Sequence, residues 1–484
     1  MSEKRKNHQD VSEGKLVLSF IVWCITTISK FRRMMSMSIS TAALMSIVAL
    51  VVLVAISCIN DDLNVGFLGI GFAIIVGGVW GGLSGAKVMG SFPLSLFMIL
   101  AGVTFLFGMA QTNGTMEKLT AYSVRVCKGN TALIPFIIFV LTTFVTTIGP
   151  GNIAGCALMA PVAMAIATRV GMPAFLMTLL VVGAANGAAF SPFAPTGIIS
   201  NGIIAKMAPQ LNIPADALNG LAWKIHFNSE VAQGFVNIGG FFVMGGWAWM
   251  KAQKGAELDI DELAPKPEPF NKAQLTTLIL VAVLIILVVI PGLPMMKGVL
   301  PKAITNMLSN VGSISFVLSI VLMLTGYGDS KAAVKVMPWG VIMMVCGVSV
   351  LIDVMDKAGG LNALVSVIGS VSGPVTVNFW VSFVPAVISA YSSSSGVVMP
   401  MFLPMVPGLR EITGGDAIAM ISSINVGSHL VDTSPLSTLG ALCIASAGDH
   451  EDKGKLFRKL LIWGLSMSVV SGIVCYIFFG VLGM

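Results

Sequence analysis

The chain has 484 residues, of which 56% are hydrophobic and only 10% are charged, and its formal net charge is +6. A soluble domain carries about a quarter charged residues, so this composition excludes a water-soluble globular protein and predicts a polytopic integral membrane protein. The basic residues lie in short loops, where the positive-inside rule places them at the cytoplasm, and they do not indicate nucleic-acid binding.

Apolar runs near the length of a membrane span, about 20 residues, recur along the chain. The N-terminal segment 1–40 contains one candidate extra span, 15–31, for which an interfacial helix is the alternative. A first block is predicted at 41–250, a charged and Pro-rich cytoplasmic linker at 251–272 and a second block at 273–484. The prediction is an all-α membrane domain of roughly ten or more spans. The clearest spans are 41–59, 66–83, 94–110, 273–291 and 458–482.

The second block repeats the first at a nearly constant spacing. Matched residues 245 positions apart are Gly81 and Gly326, Pro93 and Pro338, Gly102 and Gly347, Val103 and Val348, Leu106 and Leu351, and Gly114 and Gly359. Asn152 and Ser395, and Pro161 and Pro404, are 243 positions apart. Internal repeats are the habitual architecture of secondary transporters, so the spacing predicts that class of fold.

Four apolar stretches are interrupted by small, hydroxyl and helix-breaking residues at matching places of the two blocks. They are TTIGPGNIAG (146–155), AANGAAFSPFAPTG (184–197), SAYSSSSGVVMP (389–400) and NVGSHLVDTSPLST (425–438). Irregular backbone at membrane depth is tolerated only where it is buried in protein or lines a wet cavity. The pattern predicts helical hairpins at about 131–169 and 374–409, each followed by a broken helix.

A broken helix favours an anion at its new N-terminus, through free N–H groups and the helix dipole, and a cation at its C-terminal carbonyls. Four such breaks would form an anion site that needs no buried arginine. His429 and Asp432 are the only ionisable residues in the four stretches. Asp432 is the stronger functional candidate because a carboxylate inside a membrane is expensive, whereas His429 alone also fits a helix-packing hydrogen bond.

Two segments, NDDLNVGFLGIGFA (60–73) and SLFMILAGVTFLFGMAQTNGTMEKLT (95–120), resemble the bacterial malonate/dicarboxylate carrier family. This family is part of the divalent anion/sodium symporter group of the ion-transporter superfamily. The wider likeness covers most of the chain from about residue 41 onward. The resemblance implies two inverted repeats with re-entrant hairpins, an elevator movement of the hairpin-bearing half, a homodimer formed by the scaffold halves, and a location in the cell inner membrane.

In the symporter group each hairpin tip carries a Ser-Asn-Thr signature for substrate and sodium, and the present tips align as Gly151-Asn152-Ile153 and Ser394-Ser395-Gly396. Each tip retains only part of the signature, so proton coupling through His429 and Asp432 stands as the alternative to Na+. The resemblance implies substrate contacts at Gly151, Asn152, Pro195, Thr196, Ser394, Ser395, Ser434 and Pro435. Candidates for the coupling ion are Asn152, Ser393, Ser394, His429, Asp432 and Thr433.

The sequence therefore predicts a cation-coupled secondary active transporter of small dicarboxylates such as malonate, malate or succinate, with no cofactor beyond Na+ or H+. A sodium/proton antiporter or another anion or metalloid carrier of the same superfamily is the alternative. An antiporter needs a pair of buried carboxylates, and the sequence indicates one clear candidate, Asp432. The chain contains no GxSxG or HExxH motif and its seven cysteines form no CxxC pair, so neither an enzyme nor a metal site is predicted.

Overall fold

The computed structural model describes residues 40–59, 63–125, 129–253, 257–258, 267–289, 310–448 and 451–484. Its regular secondary structure is helical apart from one short antiparallel pair, β1 (Gly129–Asn130) with β2 (Glu257–Leu258). The predicted N-terminal span at 15–31 lies outside the described residues, as do positions 254–256 and 259–266 of the predicted linker.

The helices follow the predicted apolar runs closely. Those up to the linker are α1 (Thr41–Ile59), α2 (Val65–Val79), α3 (Gly85–Met89), α4 (Leu94–Thr112), α5 (Thr115–Val124), α6 (Ile134–Thr147), α7 (Gly151–Arg169), α8 (Ala174–Ala188), α9 (Pro195–Met207), α10 (Leu218–Phe241) and α11 (Trp247–Ala252). A π-helical segment, Phe242–Gly246, joins α10 to α11, and single 3-10 turns precede α6 (Thr131–Leu133) and α10 (Ala215–Ala217).

The helices after the linker are α12 (Lys272–Val289), α13 (Val311–Leu324), α14 (Ser330–Val336), α15 (Trp339–Lys357), α16 (Gly360–Ser370), α17 (Val377–Ser389), α18 (Met399–Phe402), α19 (Val406–Thr413), α20 (Ala417–Leu430), α21 (Thr438–Ser446) and α22 (Lys453–Cys475). Short irregular helices extend several of them: the π-helices Ser394–Val398 and Tyr476–Val481, and the 3-10 turns Leu403–Met405 and Val431–Thr433.

Several helices have the length and composition of membrane spans. Within the described residues four are long and apolar enough to cross a membrane, and further apolar helices have 10–17 residues. Every residue of α8 is buried, and so is nearly every residue of α20. A helix that is apolar on all sides is stable only when protein or lipid surrounds it completely. These two helices therefore form the centre of the molecule.

All four predicted interruptions coincide with helix ends. The first lies between α6 and α7, where Gly149 and Gly151 adopt φ angles of 144° and 80°, a region that side chains disfavour and glycine tolerates. The second lies between α8 and α9, whose first residue is Pro195; proline suits the start of a helix because it lacks the N–H that would be unpaired there. The other two separate α17 from Ser394–Val398 and α20 from α21.

Two helix crossings between the blocks depend on glycine. Where α2 crosses α15, a Cβ on Gly66 would overlap the backbone of Met343, and a Cβ on Gly347 would overlap the backbone of Gly66. Where α4 crosses α13, a Cβ on Gly102 would overlap the backbone of Gly312, and a Cβ on Gly312 would overlap the backbone of Ile99. Glycine lets two helix backbones approach closely, as is common between membrane helices. Each crossing joins a helix of the first block to one of the second.

Gly347→Ala is expected to destabilise the protein by about 1–3 kcal/mol, because the added methyl group has no space without a backbone shift. Gly71→Ala is the matched control: Gly71 lies in α2, and no atom would be within 4 Å of its added Cβ. Thermal unfolding of the purified protein in detergent measures the effect. A lower melting temperature is expected for Gly347→Ala and an unchanged or slightly higher one for Gly71→Ala. Equal temperatures would show that the crossing can relax.

Candidate functional site

The four breaks meet one another in the interior of the protein. Gly151, at the start of α7, packs against the ring of Pro195, at the start of α9; a Cβ on Gly151 would lie 2.9 Å from the Pro195 Cδ. The Thr196 Oγ1 lies 3.3 Å from the Ser395 Oγ. Three helix N-termini, from both blocks, are thus adjacent. The first N–H groups of a helix have no partner within it, and each of these ends carries the partial positive charge of its helix dipole. In α9 the N–H of Gly197 donates to the carbonyl oxygen of Ala189 at 2.9 Å.

A chain of amide hydrogen bonds joins the first hairpin (α6–α7) to the second broken helix (α20–α21). The Asn152 Nδ2 donates to the Asn186 Oδ1 at 3.1 Å, and the Asn186 Nδ2 donates to the carbonyl oxygen of His429 at 2.9 Å. The Asn152 Oδ1 accepts the N–H of Ile153 at 3.0 Å. Asn152 and Asn186 are buried. Their orientation is fixed because each amide uses both its donor and its acceptor.

Asp432 is held by the tip of the second hairpin, which comprises α17 and the helices from Ser394 to Thr413. The Ser394 Oγ lies 2.8 and 2.9 Å from the two carboxylate oxygens of Asp432. The Ser389 hydroxyl in turn lies 2.9 Å from the Ser394 Oγ and bonds the carbonyl oxygen of Ser428. Asp432 is only 5% exposed. A buried carboxylate that has hydroxyl partners and no basic partner among the described residues remains available to a proton or a metal cation.

His429 connects the same hairpin tip to the centre of the protein. Its Nε2 lies 3.1 Å from the Ser395 Oγ, and its Nδ1 lies 2.9 Å from the Ser428 Oγ and 3.2 Å from the carbonyl oxygen of Asn425. A carbonyl can only accept, so a tautomer with the proton on Nδ1 lets Nε2 accept the Ser395 hydroxyl proton. The ring also meets Phe190 edge-on, with centroids 4.9 Å apart.

The structure brings together six of the residues that the sequence singled out: Asn152, Thr196, Ser394, Ser395, His429 and Asp432. Gly151 and Pro195 lie against each other at the edge of this cluster.

The remaining predicted residues have local roles. The Ser434 Oγ accepts the N–H of Leu436 at 3.3 Å, and the backbone of Ser434 packs against Gly464 of α22. Ser393 caps the helix that follows it, since its Oγ accepts the N–H of Gly396 at 3.0 Å. Thr433 and Pro435 are buried in the second broken helix.

Three members of the cluster were not singled out from the sequence: Asn186, Ser389 and Ser428. All three lie inside the interrupted stretches. Asn186 had a usable signal, because it precedes His429 by 243 positions, the spacing that relates Asn152 to Ser395. The side-chain partners of Ser389 and Ser428 depend on how the second hairpin folds against α20, and no local pattern encodes that.

A cavity of about 710 Å³ lies at the opposite end of α9 from Thr196. It is bounded by α9, by α15 and α16, and by the second hairpin. Its charged lining residues are Lys206, Asp353, Asp356, Arg410 and Glu411. The Arg410 guanidinium donates to the carbonyl oxygen of Leu211 at 3.0 Å. The cavity therefore separates the second hairpin from α15 and α16 over part of their length. No group of His, Cys, Asp and Glu within the described chain is arranged to hold a metal ion.

Comparison with solved structures places this arrangement in a transporter fold. The YdaH transporter of Alcanivorax borkumensis, whose crystal structure is described as revealing an unusual topology, is similar with a TM-score of 0.54 and 18% sequence identity; the match covers 82% of this chain and 88% of that one. This likeness shows a shared helical fold, and within the described residues four helices have the length and composition of membrane spans. Residues 39–189 match the family model for the N-terminus of the dicarboxylate carrier protein MatC, which confirms the predicted resemblance. No curated protein matches the sequence.

Proposed function

We propose that this protein is a secondary active transporter of small dicarboxylates of the malonate, malate or succinate class, driven by a coupled cation. The observation that carries the proposal is the meeting of the four helix breaks around Asn152, Thr196, Ser394 and Ser395. The family matched by residues 39–189 is named for dicarboxylate carriers, which supports the same substrate class.

The adjacent helix N-termini suit a doubly charged anion. Helix N-termini bind carboxylates through backbone N–H groups without a basic side chain, and the Asn152 amide and the Thr196 and Ser395 hydroxyls add donors of the kind that fix a carboxylate. N-termini from both blocks are present, so each can hold one carboxylate of a short di-acid. This division favours small di-acids over monocarboxylates, which would leave one set of donors without a partner.

The buried Asp432 is the reason to propose cation coupling. A carboxylate beside a bound dianion is repelled unless a cation neutralises it, so the di-acid and the cation would bind together. Na+ prefers oxygen ligands, which Asp432, Ser394 and Asn152 provide. A proton on Asp432 or His429 would serve the same purpose. Thr433 and Ser393, which are adjacent in sequence to Asp432 and Ser394, remain candidate ligands of the coupling ion.

We further propose that the two blocks are inverted repeats and that the hairpin-bearing part moves as an elevator. The glycine crossings of α2 with α15 and of α4 with α13 support the repeat, because Gly66 and Gly102 of the first block correspond to Gly312 and Gly347 of the second. The cavity between the second hairpin and α15 supports a moving part that slides against a fixed one. A homodimer in the cell inner membrane completes this proposal.

The direct test is uptake of labelled malonate, malate and succinate into proteoliposomes, under a sodium gradient and then under a proton gradient alone. Accumulation of one of these acids under either gradient is the expected result. Sodium dependence would indicate a metal-cation site at Asp432 and Ser394, whereas proton dependence would indicate that a side chain such as Asp432 or His429 binds the coupled proton. No uptake of any di-acid under either gradient or in exchange mode would reject the substrate class.

A further inference from the structure

A second polar region lies outside the four breaks, on one face of α10. His226, Glu230, Gln233 and Asn237 follow one another at the spacing that places residues on a single helix face, and we refer to these four as the polar column. Gln233 and Asn237 are at most 1% exposed. Each member of the column has one buried polar atom without a hydrogen-bond partner among the described residues: His226 Nδ1, Glu230 Oε2, Gln233 Nε2 and Asn237 Oδ1.

The column faces the first hairpin and the first broken helix. The Thr143 hydroxyl of α6 donates to the Glu230 Oε1 at 3.0 Å, and a Cβ on Gly187 of α8 would lie 2.6 Å from the Glu230 Oε2. Phe139 of α6 lies beside Gly234 of α10. The two helices are therefore antiparallel, and this register predicts that the next turn of α6 lies beside His226. The Thr146 and Thr147 hydroxyls of that turn are also buried and unpaired within the described chain.

Two short connections link Glu230 to the cluster that contains Asn152 and His429. Gly187, its neighbour in α8, follows Asn186, which holds both Asn152 and His429. Thr147 accepts a hydrogen bond at its carbonyl oxygen from the Ser191 hydroxyl at 2.7 Å, and Ser191 lies in the break between α8 and α9. A change of charge at Glu230 thus acts on both the first hairpin and α8, the two elements that the Asn152–Asn186 hydrogen bond joins.

We propose that Glu230 is a proton-binding site of this transporter, taking up and releasing a proton at its Oε2 during the transport cycle. Only an O–H bond forms and breaks, and a water molecule would be the partner that gives and receives the proton. An ionisable residue at membrane depth is costly and is retained where it moves ions or protons. The inference rests on the proposed function, because it names the proton as an ion that moves with the di-acid.

The surroundings of Glu230 contain few competing charges. Neither α6 nor α8 carries an ionisable side chain. On α10 itself the titratable neighbours are His226, one turn away in the column, and Lys224, which is exposed. On α20, which also packs against α10, the charged or titratable residues are His429 and the exposed helix cap Asp416. Among the described residues, Glu230 therefore has the Thr143 hydroxyl as its side-chain hydrogen-bond partner and forms no ion pair.

The first test reads the proton at Glu230 without using transport. Infrared spectra of the purified protein are recorded as the pH is lowered, for the wild type, Glu230→Gln and the control Glu117→Gln, which changes an exposed carboxylate of α5. A band of protonated buried carboxyl groups is expected in the wild type and in the control, and Glu230→Gln is expected to lose the Glu230 part of it, whereas any contribution from the buried Asp432 stays the same in all three proteins. Identical spectra in all three proteins would overturn the proposal.

The second test reads proton movement in proteoliposomes with a trapped pH-sensitive dye while malonate enters. Wild-type protein and Glu117→Gln should acidify the lumen with uptake, Glu230→Gln should lose this acidification by about tenfold or more, and Glu230→Asp should restore part of it with a shifted pH profile. Acidification by Glu230→Gln at the wild-type rate would reject Glu230 as the site. A wild-type protein that moves no di-acid, yet shows the Glu230 infrared band, would reject the proposed function and leave the proton site standing.

Discussion

Asn152→Ala is expected to reduce di-acid uptake by about tenfold to 100-fold, with the protein still folded. Removal of one hydrogen-bond donor to a charged group costs about 1.5–3 kcal/mol, and tenfold corresponds to about 1.4 kcal/mol. The Asn152 amide also positions Asn186, whose Oδ1 would lose its donor. Uptake of labelled malonate into proteoliposomes, at equal amounts of reconstituted protein, measures the effect.

The control for Asn152→Ala is Gln111→Ala, which removes an exposed side-chain amide at the end of α4. Size-exclusion chromatography should be the same for both variants and the wild type, and Asn152→Ala alone should have a slightly lower melting temperature, because the buried Asn186 Oδ1 loses its donor. Asn152→Asp adds a second comparison, because it keeps the size of the side chain and places a negative charge beside the helix N-termini. If Asn152→Ala transports at the wild-type rate, the first hairpin tip does not contact the substrate.

Asp432→Asn is expected to abolish accumulation against a gradient, lowering the steady-state accumulation ratio by about 100-fold, while exchange of labelled for unlabelled di-acid continues. The asparagine Oδ1 can still accept the Ser394 hydroxyl, so the local fold is preserved, but no charge remains to hold a cation. A loss of this size corresponds to about 2.7 kcal/mol, within the range measured when one partner of a buried charge interaction is removed. The variant should also bind the di-acid without the cation.

Asp452→Asn is the matched control. Asp452 caps α22 and is exposed, and the backbone N–H of Lys455 lowers the pKa of its carboxyl, so the substitution removes one ionised carboxylate at a distance from the cluster. Asparagine caps helices about as well as aspartate. Wild-type accumulation is expected. Cation-dependent accumulation by Asp432→Asn equal to that of the wild type would exclude Asp432 from the coupling site.

Much of the fold follows from local sequence signals. The predicted spans 41–59 and 94–110 correspond to α1 and α4 because a run of apolar residues of that length has one stable form in a bilayer, a helix. The breaks were predictable for the same local reason, because proline and clustered glycines disfavour a continuous helix. Proline alone is not sufficient, since Pro161 and Pro385 lie inside α7 and α17. No knowledge of tertiary contacts is needed for either inference.

The side-chain partners inside the site, in contrast, could not be predicted from the sequence. Gly102 and Gly347 are matched by the repeat, yet neither contacts the other; each packs against the start of a helix in the opposite block. Ser434 belongs to a predicted motif but packs against Gly464, because the direction of its side chain is set by the turn before α21. Side-chain direction in irregular backbone depends on the surrounding helices, which a linear motif does not describe.

Glu230 shows a signal that was present in the sequence but lay outside the regions with breaks. A carboxylate in the middle of an apolar span, with polar residues at helical spacing on both sides, already indicates a buried polar face. Prolines and clustered serines mark only the places where the backbone is irregular. A regular helix such as α10 can carry chemistry equally well, and helical periodicity is the means of finding it.

The exchange of glycine contacts between the blocks has a consequence for biosynthesis. When α2 and α4 are synthesised, their partner helices α15 and α13 do not yet exist, because Gly347 follows Gly66 by 281 positions and Gly312 follows Gly102 by 210. The Nδ2 of Asn186 likewise lacks its acceptor on His429 until α20 has been inserted. Contacts within the first block, such as those of α8 with α6, α7 and α10, can form once these helices are inserted, whereas the crossings with α15 and α13 can close only after most of the chain has been synthesised. A shortened chain that ends at the linker would hold none of the site's second half and should be cleared as an unassembled membrane protein.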